Sequence, residues 1–235
     1  MKINQYFFIV LYTLSVNTYA GVMPSQSRVI YEQKDKNKSL MLANTNDYPV
    51  IVQTWIDKGE GTPDSDSIPF VSIPPVLRLD ASEVKGVRII YNRAELPENK
   101  ESLFWFNIYE IPPVRKRVNP DNSVLVTMNT QIKLFYRPKS ISTTPDQAIK
   151  KVSCRQQDRK SVVCQNPTPV HISVIDVQLK SKSGSVEKTI SKDLLLSPNS
   201  RSVYQFDNIN FSQGAMKVRY IDDTGNQQQH VLGIK

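Results

Sequence analysis

Few residues in this sequence have the types and spacing that catalysis needs. Its two histidines, His171 and His230, stand in no metal-ligand spacing. Gly-x-Ser-x-Gly, His-Glu-x-x-His and the phosphate-binding loop are all missing. Gly59-Glu60-Gly61 begins like a dinucleotide fingerprint, but no glycine follows at the required place. Neighbouring carboxylates such as Asp222 and Asp223 are ordinary turn residues, and His171, shortly after Pro169, reads as structural. What remains is chemistry for binding. Lys133 stands among apolar neighbours in the run Ser123 to Arg137, about twice the length of a typical strand. If alternation is unbroken, Val124, Val126, Met128, Ile132 and Leu134 share one face and Lys133 takes the other. On pattern alone this is a long core strand whose lysine covers its stem and extends its ammonium to water.

The elements that position these residues start after a leader. Lys2 precedes the apolar stretch Phe7 to Leu11, which meets Asn17, Thr18, Tyr19 and Ala20. This is the pattern of a signal peptide over residues 1–20, cleaved after Ala20, with an uncleaved anchor as the alternative. Export into an oxidising compartment favours a disulfide between the two cysteines, Cys154 and Cys164. Their ten-residue separation suits a clip across a β-hairpin. The formal charge of +8 falls to +7 without Lys2, and the basic residues are scattered. Export and scatter together argue against a nucleic-acid partner. No cofactor and no metal is expected.

Period-2 alternation recurs along the chain, and fifteen prolines and eight glycines break it into short pieces. Val50 to Ile56 reads as a strand buried on both faces. Val87 to Tyr91 and Leu103 to Ile111 read as strands too, the latter with Phe104, Phe106 and Ile108 on one face. About seven strands fit between Ser27 and Tyr136, the number expected of an immunoglobulin-like sandwich. The polar, proline-containing stretch Arg137 to Pro145 reads as a linker. Beyond it, Ser161 to Gln165, His171 to Leu179, Arg201 to Phe206, Ala215 to Ile221 and Gln228 to Gly233 form a second strand series. The expected fold is all-β, with two β-sandwich domains at residues 21–140 and 141–235.

Four motifs in register carry a resemblance: Ile73-Pro74-Pro75-Val76-Leu77-Arg78-Leu79-Asp80, Leu103 to Pro113, Ile132-Lys133-Leu134-Phe135-Tyr136-Arg137-Pro138, and Asn166-Pro167-Thr168-Pro169. They resemble the PapD-like periplasmic chaperones of the chaperone–usher pathway over nearly the whole mature chain. The resemblance implies two immunoglobulin-like domains at an angle, with a cleft between them. It implies a periplasmic protein that binds, folds and caps pilus or fimbrial subunits and delivers them to an outer-membrane usher. Residue by residue, Arg28 and Lys133 fall at the family's cleft cations, which bind the subunit's C-terminal carboxylate. Val124, Val126 and Met128 become donor residues that complete the subunit's sheet. Glu101, Arg137 and Asp223 match the interdomain charge network that holds the domain angle, with Asp222 competing for the last place. The short segment between Ile111 and Val124 resembles the short-loop branch of the family. An exposed donor strand implies a possible self-capping homodimer when the protein is free.

Two other classes stay open at this level. A structural subunit or adhesin would need an alternating apolar donor strand after the leader, which Gly21 to Arg28 does not supply at length. An exported β-sandwich enzyme would need a constellation that the motifs above do not provide.

Overall fold

A computed structural model of the chain describes residues 21–63, 67–113, 126–180, 186–191, 193–207 and 215–234. The first domain contains β1 (Val22–Pro24), β2 (Arg28–Glu32), β3 (Lys38–Asn44), β4 (Val50–Asp57), β5 (Phe70–Ile73), β6 (Val76–Leu79), β7 (Val84–Tyr91), β8 (Ser102–Ile111) and β9 (Met128–Arg137). One sheet runs β1-β3-β7-β5 and the other β2-β9-β8-β4-β6. The first extended segment thus divides between the sheets, β1 pairing with β3 and β2 lying parallel to β9. Among the described residues, eight strands occupy the span where the pattern suggests about seven, because Pro74 and Pro75 split one of them. Proline cannot donate to a ladder, so β5 ends there and β6 continues in the opposite sheet.

Alternation places the core. Val50, Val52 and Ile56 of β4 are buried, whereas Ile51 is 39% exposed. This corrects the expectation that β4 is buried on both faces: a sheet of this sandwich has one packed face, and Ile51 is on the other. Phe104, Phe106 and Ile108 do share the buried face of β8. An aromatic group of Tyr31, Phe70, Tyr91, Phe104 and Tyr136 closes one end, with ring centroids 4.8–6.2 Å apart.

The crossing to the second domain begins where β9 ends. Residues 138–144 lead to a single turn of helix α1 (Pro145–Ala148), with proline at its first position and the Gln147 side chain accepting the Thr144 N–H at 3.2 Å. The second domain contains β10 (Ser153–Gln156), β11 (Ser161–Asn166), β12 (Ile172–Lys180), β13 (Val186–Lys188), β14 (Leu195–Leu196), β15 (Ser200–Gln205), β16 (Ala215–Ile221) and β17 (Gln227–Gly233). One sheet runs β10-β11-β15 and the other β13-β12-β16-β17, with β14 also on β12. Its core includes Ile149, Ile172, Val177, Leu179, Tyr204 and Met216. Cys154 and Cys164 are directly opposed on β10 and β11 and form a disulfide, as the spacing suggests.

A buried charge network joins the domains. Arg137 donates through Nε to Glu101 Oε1 at 2.6 Å and through Nη1 and Nη2 to Asp223 at 2.7 and 2.9 Å. Glu101 Oε2 accepts the backbone N–H of His171 at 2.8 Å and lies 3.2 Å from His171 Nδ1. Burial works against the Arg137 charge, but the bonds and charges of Asp223 and Glu101 outweigh it and hold the guanidinium well above its ordinary pKa. Asp222 does not compete for Arg137. Its carboxylate accepts from Thr224, Asn226 and Gln228 and so builds the β16–β17 turn that presents Asp223.

Three outcomes follow for stability. Replacing both Cys154 and Cys164 by alanine is expected to cost the second domain about 2–3 kcal/mol on the loop-entropy account, read as a lower denaturation midpoint. Arg137→Ala strands two carboxylates, one of them almost fully buried, and is expected to cost about 3–5 kcal/mol. Asp223→Asn, at a partly exposed partner, should cost about 1 kcal/mol in the same denaturant titration.

Candidate functional site

The site grows from the parallel pairing of β2 with β9. Arg28 stands directly opposite Lys133, and the register runs on to Glu32 opposite Arg137. Alternation sends Ile132, Leu134 and Tyr136 into the first core, which leaves Lys133, Phe135 and Arg137 on the face toward the second domain. Phe135 and Arg137 are buried there, and Lys133 is half-buried.

Each cation is positioned by both domains. Arg28 is 7% exposed, and its Nη1 donates to the Ile221 carbonyl of β16 at 3.1 Å. Its guanidinium carbon lies 5.9 Å from the centroid of the Phe135 ring, and Phe135 contacts the His171 ring at 5.4 Å. Lys133 Nζ lies 5.4 Å from the Trp105 ring centroid and 3.5 Å from Ser173 Oγ. It borders an open cavity of about 600 Å³ walled by Leu103 and Trp105 from one domain and Val174, Ile175 and Leu194 from the other.

Electrostatically the pair is incomplete. Burial pulls Arg28 below its ordinary pKa, against the opposing carboxylates of Asp223 and Asp222. Burial also pulls Lys133 down; the adjacent Arg28 charge adds to this and Asp193 opposes it. Among the described residues neither cation has a carboxylate within ion-pair distance. Arg28 Nε is a buried donor without a hydrogen-bond partner. Two like charges, side by side and partly desolvated, with a donor left over, are chemically suited to an oxyanion.

The strand beside the pair has an open edge. β8 pairs with β9 from Met128 to Tyr136, but β2 covers only Lys133 to Arg137. Among the described residues, Met128 to Ile132 therefore has a sheet neighbour on one side only. Val126 is 74% exposed and Met128 43%. Val124 lies outside the described residues, as does most of the connection from β8 to β9. The expected strand from Ser123 is thus described as a strand from Met128 onward. Arg28 and Lys133 are brought together, and Glu101, Arg137 and Asp223 form one cluster beside them. Sequence reasoning did not place Trp105, Ser173 or His171 here. Trp105 pairs directly with Lys133 across β8 and β9, and His171 and Ser173 reach the site across the domain interface.

Comparison with known proteins agrees with this architecture. Residues 21–142 match the family described as pili and flagellar-assembly chaperone, PapD N-terminal domain, and residues 147–232 match the pili assembly chaperone PapD, C-terminal domain. The probable fimbrial chaperone YadV of Escherichia coli K12 is 29% identical over 93% of this chain and 92% of its own. Its crystal structure superposes with a TM-score of 0.78, covering 90% of this chain and 98% of that one. The chaperone protein HifB of Haemophilus influenzae is 32% identical over 95% of this chain and 91% of its own. Two family domains in order, the sandwich pair and whole-length relatives agree: the chain belongs to the PapD-like family of periplasmic pilus-assembly chaperones.

Proposed function

We propose that Arg28 and Lys133 grip the C-terminal carboxylate of a pilus or fimbrial subunit while the free edge of β9 completes that subunit's sheet. The observation that supports this most directly is the adjacency of an unpaired cation pair and an open strand edge. A chain whose terminal carboxylate rests at Lys133 and whose last residues lie along Met128 to Ile132 runs in the same direction as β9. It occupies the row that β2 leaves vacant, so the added pairing is parallel. Adding a strand to an exposed edge in this way is an established recognition mode. Val124, Val126 and Met128 then enter the subunit's groove, each contributing about 1.5–3 kcal/mol before ordering costs. The carboxylate fixes register, which matters because a slip of one residue turns every donor side chain away.

The same reading covers the rest of the cycle. The chain is exported, loses residues 1–20 after Ala20, works in the periplasm by binding rather than catalysis, and hands its cargo to an outer-membrane usher. The exposed donor edge also suits a self-capping homodimer when no subunit is present. The Glu101–Arg137–Asp223 network keeps the second domain against the cation pair.

The decisive experiment is a pull-down of tagged mature protein from its native periplasm, beside Arg28→Ala/Lys133→Ala. The wild type is expected to retain a small β-rich subunit that the folded variant loses. Equal recovery by both proteins would remove the carboxylate anchor. A second outcome concerns pH. The folded state lowers the proton affinity of Lys133, so the unfolded chain holds that proton more tightly and stability gains from Lys133 as pH rises through the depressed value. Lys133→Met is expected to raise the melting temperature of the free protein at neutral pH, with the difference narrowing at alkaline pH, while subunit binding is lost.

A further inference from the structure

Glu110 is a buried acid with no cationic partner among the described residues. It is 6% exposed on β8, where Oε2 accepts the Val22 N–H at 2.9 Å and Oε1 accepts the Asn46 side-chain amide at 2.8 Å. Its strand partners are Val52 and Met128, neither of them charged. Asn46 is oriented by Asn44, whose own amide donates to the carbonyls of Tyr48, Leu79 and Asp80. The titratable groups on these surrounding turns are Asp47 and Tyr48, both exposed, Asp80, which pairs with Arg78, and Glu83, which pairs with Lys85; neither of these cations is within ion-pair distance of Glu110. The carboxyl group in this position is buried and hydrogen-bonded, with no cation within ion-pair distance among the described residues.

Gly21 is fixed against that carboxylate. Its carbonyl accepts the Thr45 N–H at 3.0 Å and the Thr45 hydroxyl at 2.6 Å. Its φ is +79°, and a Cβ there would come to 2.6 Å from Glu110 Oε2 and collide with Met128 Cε. A larger residue here would have to push those two side-chain ends aside. Covalent geometry then keeps the Gly21 nitrogen within about 5 Å of Glu110 Oε2.

We infer that the α-ammonium of a mature chain beginning at Gly21 is the counter-ion of Glu110. The inference rests on the proposed cleavage after Ala20. While Ala20 is attached, the nitrogen of Gly21 is a neutral amide; hydrolysis of that bond leaves an amine that is protonated below about pH 8. Processing therefore creates a positive charge where a buried negative one awaits it. The pair ties the new N-terminus to β8 opposite Met128, at the start of the described donor strand. A precursor has no such charge, so this contact belongs to the exported and processed chain alone.

The test compares mature protein starting at Gly21, released from a cleavable fusion, with the same protein Nα-acetylated, each also as Glu110→Gln. Thermal unfolding of the first domain is followed from pH 6 to pH 10. At pH 7, acetylation is expected to lower the melting temperature by about 2–6 °C with Glu110 present, and to change little in the Glu110→Gln pair. Pairing raises the amine's folded pKa, so the advantage of the free amine is complete below pH 8 and disappears as pH rises through the raised value. Equal melting of free and acetylated protein at pH 7, or the same difference between them in the Glu110→Gln background, overturns the ion pair. Should Glu110→Gln not fold, the first comparison and its pH dependence decide alone. Mass analysis of the periplasmic N-terminus separately checks the cut. A start other than Gly21 overturns the cleavage reading, whereas a Gly21 start with no acetylation effect overturns only the pairing.

Discussion

A β-strand serves two neighbours at once because successive side chains leave by opposite faces. In β9 this divides the residues cleanly: Ile132, Leu134 and Tyr136 complete the first core, and Lys133, Phe135 and Arg137 meet the second domain. Arg137 bonds to carboxylates of both domains, Phe135 packs between Arg28 and His171, and Lys133 faces the cavity. A shift of one residue in the pairing of β8 with β9 would exchange the two sets and place three polar or bulky groups in the core. The first core, the domain interface and the cation pair thus depend on one register.

That register also explains why an unfavourable electrostatic arrangement persists. Arg28 and Lys133 are direct neighbours and both are pulled down by burial, which is a cost to the free protein. Nearby, the same kind of charge is fully compensated: Arg137 has carboxylates on either side. The contrast within one strand face separates a paired cation from an unpaired one, and the proposed function gives the unpaired one its partner. Stability favours pairing every buried charge, and a binding site requires that one remain unpaired.

Much of this was legible in the sequence, and the exceptions have physical causes. Alternation identified β4, β8 and β9, and the cysteine spacing identified the β10–β11 clip, since both are local properties of the chain. Alternation could not say that Ile51 faces out, because an apolar side chain on an open sheet face looks like one in the core. The choice between Asp222 and Asp223 depended on the β16–β17 turn, where Asp222 is consumed by its own backbone and side-chain neighbours. His171 reaches Glu101 across seventy positions of sequence, and Trp105 meets Lys133 only through the β8–β9 register. The open edge of β9 followed from where β2 begins, which is a statement about pairing rather than composition. For Arg28 and Lys133 the sequence supplied candidates through resemblance, and the fold supplied their adjacency.

The hydrogen bond from Arg28 to the Ile221 carbonyl crosses from one domain to the other. An anion that engages Arg28 must either share the guanidinium with that carbonyl or displace it. Where the carbonyl is displaced, the free energy of anion binding depends on how the second domain is seated. Thermodynamic reciprocity then requires that seating respond to the anion by the same amount. A single backbone carbonyl thereby makes the relative position of the domains a variable that the bound state can report.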